Sequence, residues 1–168
     1  MKRLLVMRHA KSDWSGGVAD HDRPLSRRGS RAAASMGELL RRMEEVPDLV
    51  YSSTAVRALD TAQLAAAAGR WPAPIETSPD LYATSVAATL EVAARAPDRV
   101  ARLMLVGHQP AWGALVGHLT GGAVQIRTGT IAAIDCYAAS WRDLPRSGGE
   151  LAYLLQPRLF TDASGADG

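Results

Sequence analysis

Three short stretches carry the residues best suited to chemistry. In the first, "KRLLVMRHAKSDW" (2–14), an apolar run from Leu4 to Met7 leads straight into Arg8 and His9. In the second, "YSSTAVRALDTA" (51–62), Arg57 follows a Ser-Ser pair, and in the third, "LMLVGHQP" (103–110), another apolar run ends in Gly107 and His108. Two arginines and two histidines suit phosphoryl chemistry. Arginine forks clamp phosphoryl oxygens, one neutral imidazole can attack phosphorus, and the other can stabilise the charge gathering on the oxygens in the transition state. An isolated histidine or arginine is ordinarily a structural or solvated residue. Everything therefore depends on whether the chain brings the three stretches together.

The elements that must do so are legible from hydrophobic periodicity. Residues 3–7 and 102–107 have the length and apolar character of buried parallel strands. Ala33, Met36, Leu39, Leu40 and Met43 recur at helical spacing, with Arg31, Glu38, Arg41, Arg42 and Glu45 on the other side, which predicts an amphipathic helix. "DLVYSS" (48–53) reads as a second strand, followed by a helix over 55–68 that stops at Gly69, ahead of Pro72 and Pro74. A third strand is expected near Ile75. Residues 84–96 and 110–119 read as helices, closed by Pro97-Asp98 and Gly121-Gly122. "TIAAIDCYAA" (130–139) and "GELAYLLQP" (149–157) are strand-like and expected to pair antiparallel across "SWRDLPRSGG".

Alternating strands and helices predict an α/β fold: a three-layer sandwich with a mostly parallel central sheet flanked by helices and antiparallel strands near the C-terminus. Such sheets bind ligands outside the carboxyl ends of their strands. Arg8 and His9 close the first strand, and Arg57 lies in the first turn after the second. His108 follows a turn that Gly107 permits, and Pro110 fits the first turn of the next helix. His108 thus stands beside a helix N-terminus, where an anion is favoured. The three strand ends offer one plausible phosphate site.

Composition narrows the function classes. The 168 residues are expected to form one domain over 1–160, with "TDASGADG" (161–168) as a flexible tail. At 47% hydrophobic and 21% charged the chain is globular, and no apolar run approaches the roughly 20 residues that span a bilayer. Only a run of four apolar residues, Leu4 to Met7, precedes Arg8, too short for a signal peptide, and Cys136 is the sole cysteine; a cytoplasmic protein is expected. A net charge of +2 argues against a nucleic-acid coat or a membrane-surface protein. Lys2 and Lys11 are the only lysines, so 17 of the 19 basic residues are arginine, a bias that genomic composition accounts for chain-wide. Position must decide which arginines matter.

Other candidates have plainer readings. His21 is a loop histidine that borders the pocket at most, and His118 is structural or exposed. "DHD" (20–22) does not make a metal site, since three adjacent side chains seldom converge on one ion. Cys136 reads as a small buried hydrophobe. Trp14, Trp71, Trp112 and Trp141 are too scattered for nucleic-acid stacking and are expected to pack in the core or at a rim.

At this point the chain resembles the histidine phosphatase superfamily, also called the phosphoglycerate mutase or RHG family. "LVMRHAKS" is similar to its opening strand-plus-Arg-His signature, with Ala10 in place of the commoner glycine. "YSSTAVRALDTAQ" and "LMLVGHQPA" are similar to its second and third blocks, and the resemblance covers roughly residues 2–157. "RHAKSDW", "DHDRPLSRRG", "VGHQP" and the short chain resemble the small SixA-type branch, named for phosphohistidine phosphatases. The resemblance implies that His9 is the nucleophile that becomes phosphohistidine, that Arg8 and Arg57 clamp the phosphate, and that His108 is the second histidine of the pocket. It implies no metal and no organic cofactor.

Many family members place a glutamate general acid after the second helix, where this chain reads "SPDLYATSV" with Tyr82 and Ala83. Asp80, Asp20 and Asp22 are the carboxylates left to consider. An alkoxide leaving group needs a proton badly, whereas imidazole leaves far more easily. The leading expectation is a phosphatase acting on phosphohistidine in proteins as a monomer. The alternatives are a phosphatase of a small phosphometabolite or nucleotide by the same mechanism, and a non-catalytic phospho-binding module.

Overall fold

A computed structural model describes residues 1–160; the tail expected over 161–168 lies outside the described residues. Its elements follow the predicted order: β1 (Lys2–Arg8), α1 (Arg27–Arg42), β2 (Leu49–Ser53), α2 (Val56–Gly69), β3 (Ile75–Ser78), α3 (Val86–Ala94), β4 (Arg102–Gly107), α4 (Ala111–Thr120), β5 (Ile131–Cys136) and β6 (Gly149–Leu155). The six strands form one sheet in the order β3-β2-β4-β1-β5-β6. β1 to β4 are mutually parallel, while β5 runs antiparallel to β1 and pairs antiparallel with β6.

Both faces of the sheet are covered, which is why β1 reads as continuous apolar sequence rather than as an alternation. Leu5, Met7, Val50, Met104 and Val106 face Met36, Leu40, Ala58, Ala62 and Ala65 of α1 and α2. Leu4, Val6, Leu103 and Leu105 face the opposite core, with Leu90 and Val92 of α3 and Trp112, Leu115 and Val116 of α4. The result is a helix–sheet–helix sandwich. Among the described residues no helix is long and apolar enough to cross a membrane.

Several boundaries depart from the periodicity, each for a local reason. α1 starts at an N-cap, Ser26, whose side chain accepts from the Gly29 amide, and ends before Met43, which is partly exposed rather than on the apolar face. Glu45, expected on the solvent side, instead bonds Arg3 and Arg102. α2 is closed by Arg70 in the left-handed conformation (φ 53°), not by a left-handed Gly69. Glycine is needed at 69 for space: a Cβ there would collide with the Trp71 indole and the Gly37 carbonyl. Residues 84–85 stay outside α3, because Ser85 caps it by accepting from the Ala88 amide.

Candidate active site

The strand order explains why three distant stretches meet. β4 lies between β1 and β2, with Met7 level with Val106 and Ser52 level with the same residue, so the carboxyl ends of three adjacent strands align. His9 follows β1, His108 follows β4, and Arg57 projects from the first turn of α2 just after β2. Their side chains converge. The two imidazole centroids are 5.1 Å apart, and Arg57 sits between them, its Nε 3.4 Å from His9 Nε2 and an Nη 3.4 Å from His108 Nδ1.

The hydrogen bonds assign the tautomers. His9 Nδ1 lies 2.7 Å from the Ala10 carbonyl, which can only accept, so Nδ1 carries the proton and Nε2 presents a lone pair toward Arg57. His108 Nδ1 likewise faces a guanidinium that can only donate, leaving Nε2–H to donate to Ser53 Oγ at 2.9 Å. Both rings are buried, His9 at 7% exposure. Burial, with the charges of Arg57 and Arg8 adding to it, pushes the His9 imidazolium down to about 4. Burial and then the proximity of His9 and Arg57 push His108 down to about 3. Each imidazole is therefore neutral at physiological pH.

Arg8 completes the pocket from β1. One Nη donates to the Ile126 carbonyl at 3.0 Å, while its buried Nε has no protein acceptor. The loop over 126–130 holds this strand end: the Gly129 amide reaches both the Arg8 and His9 carbonyls, with Gly129 at φ 75°. Thr61 ties β1 to α2, accepting from the Ala10 amide at 3.0 Å and donating to the Arg57 carbonyl at 2.6 Å. The expected turn at Gly107 takes a different form. Gly107 is the last strand residue, and a Cβ there would sit 2.7 Å from the Trp112 ring, whose Nε1 donates to Met7 O at 2.8 Å. Pro110, expected inside the first turn of α4, is its N-cap and follows a cis peptide bond.

Of the three candidate acids the structure brings only Asp20 to the pocket. Its carboxylate takes an Arg57 Nη at 3.1 Å, Arg23 at 3.0 Å and the Tyr82 hydroxyl at 2.8 Å, and its carbonyl takes the other Arg57 Nη at 2.5 Å. Although 52% exposed, Asp20 is held at about 2, chiefly by the Tyr82 hydrogen bond and then by the two arginines. Asp80 pairs with Arg95 at 3.1 Å, and Asp22 is exposed beside His21. The three residues of "DHD" diverge, His21 reaching Thr54 Oγ1 at 3.0 Å. Among the described residues no three His, Cys, Asp or Glu side chains gather as metal donors.

Sequence reasoning assigned no role to Ser53, Thr61, Arg23, Ser12 or Tyr82. Arg23 is buried, bonded to Ser12 Oγ at 2.5 Å, and stacked 3.5 Å above the Trp14 ring. A signal existed for Ser53 and Thr61, since both are polar residues next to Arg57 on elements reading as buried. Tyr82 was marked only by standing where the resemblance places a glutamate; that its ring packs edge-on against His21 and His108 follows from the tertiary fold. His118 is exposed, and Cys136 is buried in β5, its thiol pushed up to about 11 by burial.

Taken together, the strand ends offer a neutral imidazole nitrogen with a free lone pair, a second imidazole and the Arg57 guanidinium within reach of both, with Arg8 at the end of β1 beside them, a set of groups that phosphoryl transfer can use. Comparison with known proteins agrees. A family model described as "Histidine phosphatase superfamily (branch 1)" matches residues 4–85. A solved structure described as a "Putative Phosphohistidine Phosphatase SixA" from Nakamurella multipartitia is 30% identical, with a TM-score of 0.82 over 93% of this chain and 96% of that one. One described in the same way from Agrobacterium tumefaciens is 27% identical, with a TM-score of 0.79 over 93% and 98%. A Mycobacterium leprae protein is 30% identical over 90% of this chain and the whole of that one. With strand order, convergent pocket and relatives in agreement, this chain belongs to the histidine phosphatase superfamily, in its SixA-type branch, and is a phosphatase.

Proposed function

We propose that the protein hydrolyses phosphohistidine in proteins through a phosphorylated His9. The observation that carries the choice of substrate is the state of Asp20, the one candidate carboxylate at the pocket, held ionised by Tyr82, Arg23 and Arg57. A carboxylate with a pKa of about 2 has no proton to give near neutrality. The Tyr82 phenol, raised by the same hydrogen bond, is no better a donor. A pocket with such weak acids suits a leaving group that departs easily, and imidazole, with an ordinary pKa near 6.5, is one.

In the first step His9 Nε2 forms a bond to phosphorus as the substrate's P–N bond breaks. The electron pair leaves with the substrate imidazole, which takes its proton from water. Arg8 and Arg57 hold the equatorial oxygens, and His108 stands where it can meet their developing charge. Water then attacks the phosphorus of phospho-His9, releasing inorganic phosphate and restoring Nε2. Ala10 O and Thr61 keep the His9 ring in register through both steps. The same reading takes residues 1–160 as one domain working as a cytoplasmic monomer without a cofactor.

The test follows phosphate release from a histidine-phosphorylated protein and from an alkyl phosphomonoester, for wild type and His9→Ala. The expected result is a preference for phosphohistidine, lost in the variant. Equal or better turnover of the ester would overturn the leaving-group argument. Stoichiometric phosphate binding with no transfer to His9 would support a binding module instead.

A further inference from the structure

Beside the catalytic pocket lies a second cleft of about 160 Å³, and two of its residues, Asp20 and Arg23, also belong to the pocket. Its other wall is made by Asp13, Trp14, Gly16, Gly17 and Val18. Trp14 is 72% exposed and Val18 50%, whereas Trp71, Trp112 and Trp141 are buried. A large apolar side chain left in water at the mouth of an active site is worth explaining. Trp14 is not loose: the Arg23 guanidinium stacks 3.5 Å from its ring centroid, and Arg23 is itself buried and tied to Ser12.

We propose that this cleft is a subsite for an apolar side chain that neighbours the phosphohistidine in a protein substrate. The inference rests on the phosphohistidine reading of the pocket. Continuity supports it: Asp20 contacts Arg57 on one side and lines the cleft on the other, so a chain hanging from the phosphorylated residue crosses Asp20 and reaches Trp14 and Val18. The volume suits one side chain rather than a folded element. Charge selects against an acidic occupant, because Asp20 and Arg23 pair with each other while the Asp13 carboxylate, which lines the cleft and accepts from the Ser15 amide and hydroxyl, keeps its negative charge. Trp14 and Val18 remain as the surface with most to gain from being covered.

The experiment uses phosphoimidazole, which has no chain, and two histidine-phosphorylated peptides that differ only in carrying Leu or Ser beside the phosphohistidine. Wild type should favour the Leu peptide by roughly tenfold in kcat/KM, the size expected for covering part of one apolar side chain. Val18→Asp, which leaves Arg23 and Asp20 untouched, should erase that preference while phosphoimidazole turnover stays unchanged. In the His9→Ala protein, the Leu peptide should shield Trp14 from acrylamide quenching, and phosphoimidazole should not. Equal use of the two peptides by wild type, or a Val18→Asp loss shared by phosphoimidazole, overturns the subsite but leaves the substrate reading standing. Failure of wild type on all three probes, alongside turnover of an alkyl phosphomonoester, overturns the substrate reading and the subsite with it.

Discussion

His9 and His108 present the same chemical group with opposite tautomers, and the difference follows from which nitrogen meets an acceptor. The Ala10 carbonyl holds the His9 proton on Nδ1, while Ser53 holds the His108 proton on Nε2. Long-range 1H–15N spectra of the imidazoles should therefore show two neutral rings of different tautomer from pH 7 down to about pH 5. Titration of either ring near the ordinary value of 6.5 would show that burial and the arginines do not set its state. Asp20 supplies a second prediction at this scale. Asp20→Asn keeps an acceptor for Tyr82 but removes the negative charge on Arg57, so inorganic phosphate should bind more tightly as a competitive inhibitor. Phosphohistidine turnover should fall by less than about tenfold, since loss of a true general acid costs on the order of 10²- to 10⁴-fold.

At the scale of elements, the pocket depends on how closely α1, α2 and the strands approach. Gly37 of α1 faces the backbone of Ala65 in α2, and a Cβ at 37 would collide with the Ala65 carbonyl. Gly37→Ala should force these helices apart and cost about 1–3 kcal/mol in denaturant unfolding, as overpacking generally does. Arg70 shows the reverse case. It holds a left-handed C-cap that L side chains adopt at a cost, and its side chain is exposed, so Arg70→Gly should raise stability by about 1 kcal/mol without changing turnover. Unchanged stability would mean that the side chain at 70 offsets the backbone cost.

Across the whole molecule, the buried histidines tie stability to pH. In the unfolded chain each imidazole takes a proton near 6.5; in the fold His9 does so only near 4 and His108 near 3. Between these limits the unfolded state binds more protons, so stability rises with pH and is lost as pH falls from about 6.5. From pH 7 to pH 5 the two groups together should remove on the order of 3 kcal/mol, read from urea midpoints at the two pH values. His9→Ala should flatten that slope. Phosphate, by supplying negative charge to the pocket, should also flatten it, because it favours the imidazolium in the folded state.

The sequence by itself determined the order of elements, because buried strands and amphipathic helices leave periodic marks on local sequence. It also identified Arg8, His9, Arg57 and His108 as the residues to watch, since each falls at a strand end or in the first turn beyond one. Tertiary structure alone decided that β4 inserts between β1 and β2, the placement that turns three separate stretches into one pocket. It alone decided what Asp20, Tyr82 and Trp14 touch, and which of the candidate acids reaches Arg57, because loop side chains from distant parts of the chain have no period to betray them. It also reassigned the purpose of glycine at 69 and 107 from turning the chain to making room for Trp71 and Trp112. Local sequence carries the preferences of backbone and burial; what a side chain meets across the fold is a matter of geometry over long sequence separations.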